Sequence, residues 1–107
     1  MTAWLSAFLL TQLIEVPIYV YALRGREHRL WIALGASALT HPIVYWVFPL
    51  IQVDYLAQVS YAEAFAVLGE AIWLSWFGLE RSVLWAGLAN LFSVVIGLSL
   101  RAWVGWP

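Results

Sequence analysis

Cysteine and lysine are both absent from this chain of 107 residues, and charged residues of any kind make up only 10% of it. Without cysteine, neither a disulfide nor a zinc–thiolate site can form. All five cations are arginine and the net charge is −1, so the chain has no basic run suited to nucleic acid. The sequence also lacks a glycine-rich phosphate loop, an HExxH motif and a GxSxG motif. We therefore expect no nucleic-acid partner and no cofactor, and we predict that the protein is not an enzyme.

Apolar residues dominate what is present. They account for 64% of the chain, and the mean hydropathy is +0.87. A soluble domain of this length needs more polar surface, so the composition predicts a membrane protein. Apolar segments at about 2–23, 30–51, 60–79 and 82–104 predict an all-α, polytopic bundle of four transmembrane helices. Residues 1–107 are expected to form one transmembrane domain with short loops, and the lipid bilayer is its expected partner.

The arginines predict an orientation. Arg24, Arg26 and Arg29 lie in the first connector and Arg81 in the third, whereas the opposite side has only Arg101. The positive-inside rule places the arginine-bearing turns in the cytoplasm and both termini outside a bacterial inner membrane. The second connector, at 52–60, is polar and is predicted to be a loop or a short interfacial helix.

Four polar residues from four different spans fall at nearly the same depth. Glu15, His41, Glu70 and Asn90 lie within roughly 5 Å of one another along the membrane normal at 1.5 Å per helical residue. Glu63 lies two helical turns before Glu70, on the same face and nearer the outer surface. Ionisable groups within a bilayer are costly and usually functional. This pattern predicts a midplane polar cluster.

Two carboxyls in a low dielectric cannot both ionise at low cost, and a histidine beside them adds a second proton-exchanging group. The cluster is therefore predicted to bind or move a proton, a cation or a small cationic molecule, with Glu63 on the access route. Aromatic residues follow the polar ones at helical spacing and are candidates for lining the site. These are Tyr19, Tyr45 and Trp73.

Two alternatives stay open. In the first, the protein is an accessory subunit and its polar layer only specifies helix packing, as isolated polar residues in membrane helices often do. In the second, His41 holds a tetrapyrrole, or Glu15, His41 and Glu70 hold a metal, although no ExxH spacing supports the metal.

An internal repeat is also indicated. Glu15 and Glu70 are each followed by an aromatic-rich half-helix, an arginine-bearing turn and then Leu-Trp, at Trp31 and Trp85. Two hairpins of the same orientation would be related by an axis along the membrane normal. Such an axis places Glu15 and Glu70 opposite each other.

The chain resembles two groups of membrane proteins. Its length, its four spans and the pair Glu15-Val16 resemble the small multidrug resistance transporters, which implies proton-coupled export of organic cations, although the glycine-rich motif of their third helix is missing. Because four short helices leave little room for a pathway, we expect a homodimer or a larger membrane complex. The whole polar pattern is similar to small bacterial four-span membrane proteins without an established activity. That pattern comprises Glu15, Thr40-His41-Pro42, Glu63, Glu70, Asn90, Ser93 and Gly97.

Overall fold

Four long α-helices make up almost all of the protein. The computed structural model describes the backbone of residues 2–105 and the side chains of residues 5–105. The helices are α1 (Thr2–Ala22), α2 (Arg29–Trp46), α3 (Tyr55–Trp76) and α4 (Ser82–Val104), and a short 3₁₀ turn at Phe48–Leu50 follows α2. The prediction of an all-helical chain with four helices is confirmed.

The helices form an up-and-down bundle in which each helix packs against its two neighbours in a ring. α1 contacts α2 and α4, and α3 also contacts α2 and α4. The molecule measures 39 × 25 × 22 Å. Its long dimension suits a bilayer whose hydrocarbon core is about 30 Å thick.

Three of the helical segments are long and apolar enough to cross a membrane. They are Leu5–Ala22, Arg29–Leu50 and Ser82–Val104. These segments indicate a membrane protein. The remaining helix, α3, has 22 residues but carries Gln58, Ser60, Glu63 and Glu70, and it is not among the three.

The second connector differs from the prediction. Helix α3 begins at Tyr55 rather than near residue 60, because Asp54 caps it: the Asp54 Oδ1 atom accepts a hydrogen bond of 2.7 Å from the backbone N–H of Ala57. Helix α2 ends at Trp46, before Pro49, and the 3₁₀ turn carries the chain toward α3. The connector therefore lies at residues 47–54, earlier in the chain than predicted, and the second half of the predicted connector is helical.

The two arginine-bearing turns share one backbone geometry. Gly25 and Gly78 both have φ of 85°, and the residues that precede α2 and α4, His28 and Arg81, have φ of 58° and 55°. Arg81 is the N-cap of α4, and its side chain makes no capping hydrogen bond to that helix. The Arg26 Nη2 atom donates a 2.8 Å hydrogen bond to the Gly78 carbonyl and joins the two turns.

The same match extends into the helices that follow the turns. When Gly25 is paired with Gly78, the inward positions of α2 and α4 also pair, and every member of the three pairs is buried. The pairs are Ala33 with Ala86, Ala36 with Ala89, and Ser37 with Asn90. The structure thus has two hairpins with similar turns and with similar buried faces on α2 and α4. In this register Glu15 pairs with Leu68 and not with Glu70, so the match does not make the two carboxyls equivalent positions of a repeat.

Small residues let the helices approach closely. A Cβ atom added at Gly35 would lie 2.7 Å from the Trp73 ring, and one added at Gly69 would lie 2.9 Å from Cγ2 of Thr40. The Trp73 Nε1 atom donates a 2.9 Å hydrogen bond to the Ile32 carbonyl across the same contact. The α2–α3 interface therefore has no room for larger side chains at these glycines.

Replacing Gly35 with valine is expected to destabilise the fold by about 1–3 kcal/mol, the usual cost of overpacking. The added methyl groups force the Trp73 ring away and break its bond to Ile32. Gly87→Val is the matched control, because it lies in α4 with no atom within 4 Å of an added Cβ. Thermal unfolding in detergent compares the two, and equal stability of both variants would contradict the close packing.

Candidate functional site: a buried carboxyl pair

Glu70 lies at the centre of the bundle and accepts hydrogen bonds from all three other helices. Its side chain is 1% exposed. The Tyr19 hydroxyl of α1 and the Asn90 amide of α4 both donate to Oε1, the amide at 3.0 Å, and the Thr40 hydroxyl of α2 donates to Oε2 at 2.8 Å. These contacts place Glu70 where the four helices meet.

The Asn90 side chain is held in one orientation. Its Nδ2 atom donates to Glu70 and also, at 2.8 Å, to the carbonyl of Ala86 one turn earlier in α4. Ala86 and Ala89 are fully buried beside it, so α4 presents a face of small residues with one amide. Asn90 therefore acts as a fixed donor to the carboxyl.

Glu15 projects from α1 across the bundle toward Glu70 and is also 1% exposed. Its carboxyl interacts with that of Glu70 and with the Ser93 hydroxyl of α4. Its Oε1 atom is buried and accepts no hydrogen bond from the part of the chain that the structure describes. Glu15 and Glu70 thus form a side-by-side pair of buried carboxyls, one fully bonded and one with an unpartnered oxygen.

A cavity of about 100 Å³ adjoins the pair, and we call it the inner chamber. Its polar lining includes most of the residues predicted for the site: Glu15, His41, Glu63, Glu70 and Asn90. Thr11, Ser37, Thr40 and Ser93 add hydroxyl groups, and Val44 and Ala66 complete the wall. The structure therefore brings the five predicted polar residues to one cavity.

His41 occupies a different position from the other predicted residues. Its ring stacks on Tyr45, with centroids 6.4 Å apart, and meets the edge of Phe8 at 5.3 Å. His41 thus lines the chamber while its ring packs against Phe8 and Tyr45. The hydrogen bond from α2 to Glu70 comes from Thr40, the neighbour of His41 in sequence.

The three predicted aromatic residues separate in the structure. Tyr19 is fully buried and donates its hydroxyl hydrogen to Glu70, so it is a hydrogen-bonding member of the site. Tyr45 lines a second cavity toward the ends of the helices. Trp73 instead packs against Gly35 and Phe77 and bonds to the Ile32 carbonyl, which makes it part of the α2–α3 packing and not of the site lining.

The second cavity, which we call the vestibule, has a volume of about 580 Å³. It lies at the end of the bundle where α1 and α3 begin and α2 and α4 end. Its walls are largely apolar, and its polar members include Tyr45, Tyr55, Gln58, Glu63 and Arg101. The guanidinium carbon of Arg101 lies 4.8 Å from the centre of the Tyr55 ring.

A smaller polar contact joins α1 and α2 beside the carboxyl pair. The Ser37 hydroxyl donates to Oε1 of Gln12 at 2.7 Å, and the Nε2 atom of Gln12 donates to the Leu34 carbonyl at 3.4 Å. Both residues lie on the face that carries Glu15 or Thr40. This contact orients the two helices around the chamber.

The arrangement gives no support to a metal site. Within residues 2–105, no three histidine, aspartate or glutamate side chains are placed so that they can hold a metal ion. Glu15, Glu70 and His41 border one chamber, but the His41 ring packs between aromatic side chains.

Fold and site together define an α-helical membrane protein with an acidic, hydrogen-bonded interior. No protein-family model matches the chain, and no curated protein and no solved structure is detectably similar to it.

Proposed function

We propose that the protein is a four-span bundle of a bacterial inner membrane whose Glu15–Glu70 pair binds and exchanges a proton or a small cation. The proposal that α3 is the fourth span rests on its two faces. Its acids point inward or toward the cavities, and its outward face is apolar. Leu56, Leu68 and Ile72 are 72%, 59% and 64% exposed, which suits contact with lipid chains.

The proposed orientation follows from the charged turns. Arg24, Arg26, Arg29 and Arg81 all belong to the end of the bundle opposite the termini, and positive residues favour the cytoplasmic side. Both termini and the vestibule then face the periplasm. A homodimer remains our expectation for the assembly in the membrane.

The observation that carries the function is the buried carboxyl pair. Burying one carboxylate costs several kcal/mol, and two of them in contact add mutual repulsion. An asparagine or a serine could have joined the helices at lower cost. A pair of acids beside a cavity is what a proton or cation site requires, because one group can lose a proton as a cation arrives.

The hydrogen bonds distinguish the two acids. Tyr19, Thr40 and Asn90 all donate to Glu70, and three donors suit a carboxylate, which only accepts. Glu15 has no such set of donors and keeps one oxygen unpartnered. Glu15 is therefore the member that holds and exchanges the proton, while Glu70 is the fixed negative partner.

Adding sodium or lithium chloride to the purified protein in weakly buffered detergent is expected to release protons into solution. A pH-sensitive dye reports the release, and N-methylglucamine chloride controls for ionic strength and ion size. Glu80→Gln, which removes an exposed acid from the third connector, should release protons as the wild type does. If neither cation releases protons from the wild type at any starting pH, the proposal is overturned.

One observation favours the alternative of an accessory subunit whose polar layer serves packing alone. The bonds to Glu70 join all four helices, which is how a polar group specifies a bundle. In that case Glu15→Gln and Glu70→Gln would raise thermal stability, and neither would change any exchange of protons. The proton-release measurement therefore separates the two functions.

A further inference from the structure

We propose that the Glu15–Glu70 pair is reached from one end of the bundle only, through the vestibule and past Glu63, and that the chamber admits a proton or a small inorganic cation and excludes drug-sized organic cations. The inference rests on the proposed function for the identity of the ligand. The route itself rests on the cavities and the packing at the two ends of the bundle.

The two cavities meet along a common wall. Thr11, Val44, Glu63 and Ser93 line both the vestibule and the inner chamber. Ser93 also interacts with the Glu15 carboxyl. A ligand in the vestibule is therefore separated from Glu15 by one layer of side chains. Three of these, Thr11, Glu63 and Ser93, carry oxygen atoms that can contact a proton or an ion.

The opposite end of the bundle is filled by apolar packing. The residues of this core are all buried and pack as one cluster between the carboxyl pair and the arginine-bearing turns. They include Tyr19, Leu23, Ile32, Leu74 and Leu79. Dense apolar packing offers neither polar partners nor space to water, so this core closes the site toward the arginine-bearing turns.

The volumes select the ligand. At roughly 30 Å³ for each water, the inner chamber of about 100 Å³ holds about three waters or one small ion with part of its hydration shell. Drug-sized molecules need roughly 300–1,000 Å³. Only the vestibule, at about 580 Å³, reaches that range. A drug-sized organic cation can occupy the vestibule, but it does not fit in the inner chamber beside Glu15 and Glu70.

Glu63 is placed to pass the ligand between the two cavities. It is half-buried, and its Oε2 atom is buried without a hydrogen-bond partner among residues 5–105. It lies on the α3 face that carries Glu70. Arg101 sits at the vestibule, where its charge opposes cations, and Glu63 is an acid at the common wall of the two cavities that can take up and release a proton.

The absence of native cysteine makes the route directly testable. Single cysteines at Ser93 and Gly97 report the route, Glu80→Cys marks the arginine-bearing end and Ala36→Cys marks the closed core. A membrane-impermeant thiol reagent is added to right-side-out and to inside-out vesicles. Ser93→Cys and Gly97→Cys should react only in the vesicle orientation in which Glu80→Cys does not react with the reagent. Ala36→Cys should react in neither orientation. Reaction of Ser93→Cys from the Glu80 side would overturn one-sided access.

The role of Glu63 predicts a change in rate and not in extent. Glu63→Gln should slow sodium-induced proton release by about 100-fold, the lower end of the effect of a positioned proton-transfer group, and leave its amplitude unchanged. Glu63→Asp should restore most of the rate, and Glu80→Gln should not alter it. An unchanged rate in Glu63→Gln would remove Glu63 from the route.

Tetraphenylphosphonium tests the size limit. It should release no protons from the wild type at concentrations where sodium does, and release would overturn the exclusion of drug-sized organic cations. If no cation releases protons, the proposed function fails, and the thiol labelling still decides whether access is one-sided. The two failures are thus distinguishable.

Discussion

Replacing Glu70 with alanine is expected to destabilise the protein by about 3–5 kcal/mol, the range for removing one partner of a buried charged network. The substitution leaves the Tyr19 hydroxyl buried without its acceptor. It also removes one of the two acceptors of the Asn90 amide and of the Thr40 hydroxyl, which keep the Ala86 and Ser37 carbonyls. Each buried, unsatisfied donor costs about 1–3 kcal/mol. The lost side chain also enlarges the inner chamber, which adds a packing cost.

Glu70→Gln is the sharper comparison. The amide oxygen can still accept from Tyr19 and Asn90, and the amide nitrogen can donate to Thr40, whose hydroxyl also lies 3.4 Å from the Ser37 carbonyl. We expect its stability to lie within about 1 kcal/mol of the wild type. Thermal unfolding in detergent measures both variants, with Glu80→Ala as the control for loss of an exposed acid. A Glu70→Ala protein as stable as Glu80→Ala would contradict the hydrogen-bonded centre.

Replacing Glu15 with glutamine is expected to abolish cation-induced proton release while leaving the bundle folded. An amide has no proton to release near neutral pH. It also cannot become the carboxylate that would bind an arriving cation. Glutamine keeps the shape of the side chain and its contacts to Glu70 and Ser93. The amplitude of the release should fall to the level that N-methylglucamine chloride gives with the wild type.

The control for this prediction is Gln12→Glu in the Glu15→Gln background. It returns an acid to the same face of α1, three residues earlier and against Ser37 instead of Glu70. If the pair itself is required, this second variant does not recover proton release. Full release from Glu15→Gln alone would assign the exchange to another group and contradict the role of Glu15.

Much of the site was predictable because depth follows directly from sequence position in a membrane helix. Glu15, Glu70 and Asn90 come from three helices, and counting residues from the ends of the predicted spans placed them at one level. The structure brings them into contact. Their function in ligand binding stays a proposal, because proximity of polar groups serves packing and exchange equally.

The sequence says less about how each helix is rotated about its axis. The differences between the predicted and the observed site arise from this rotation. Thr40 and His41 are adjacent, so they share a depth but point about 100° apart. His41 was predicted as the site residue of α2 because its ring can carry a charge, but the hydrogen bond from α2 to Glu70 comes from Thr40. Tyr19 was predicted from its spacing after Glu15, but as an aromatic wall. Its hydroxyl reaches Glu70 because α1 and α3 face each other across the bundle.

The start of α3 was also missed for a local reason. The polar residues of the second connector suggested a loop or a separate interfacial helix, but Tyr55 begins α3 itself because the Asp54 carboxylate caps its first turn. The membrane character of α3 remains the least direct of the four from sequence. Its acids lower its hydropathy, and only its apolar outer face argues for a span.

Infrared spectroscopy of the protein in lipid, recorded as pH is raised, tests the central claim most directly. Protonated carboxyls in an apolar interior give a carbonyl band separate from those of the peptide and of ionised acids. We predict such a band in the wild type and in Glu80→Gln, its loss as pH rises or as sodium is added, and a clearly weaker band in the Glu15→Gln, Glu70→Gln double variant, where Glu63 is the remaining acid of the chamber. Identical spectra for the wild type and the double variant at every pH would contradict a proton-exchanging carboxyl pair.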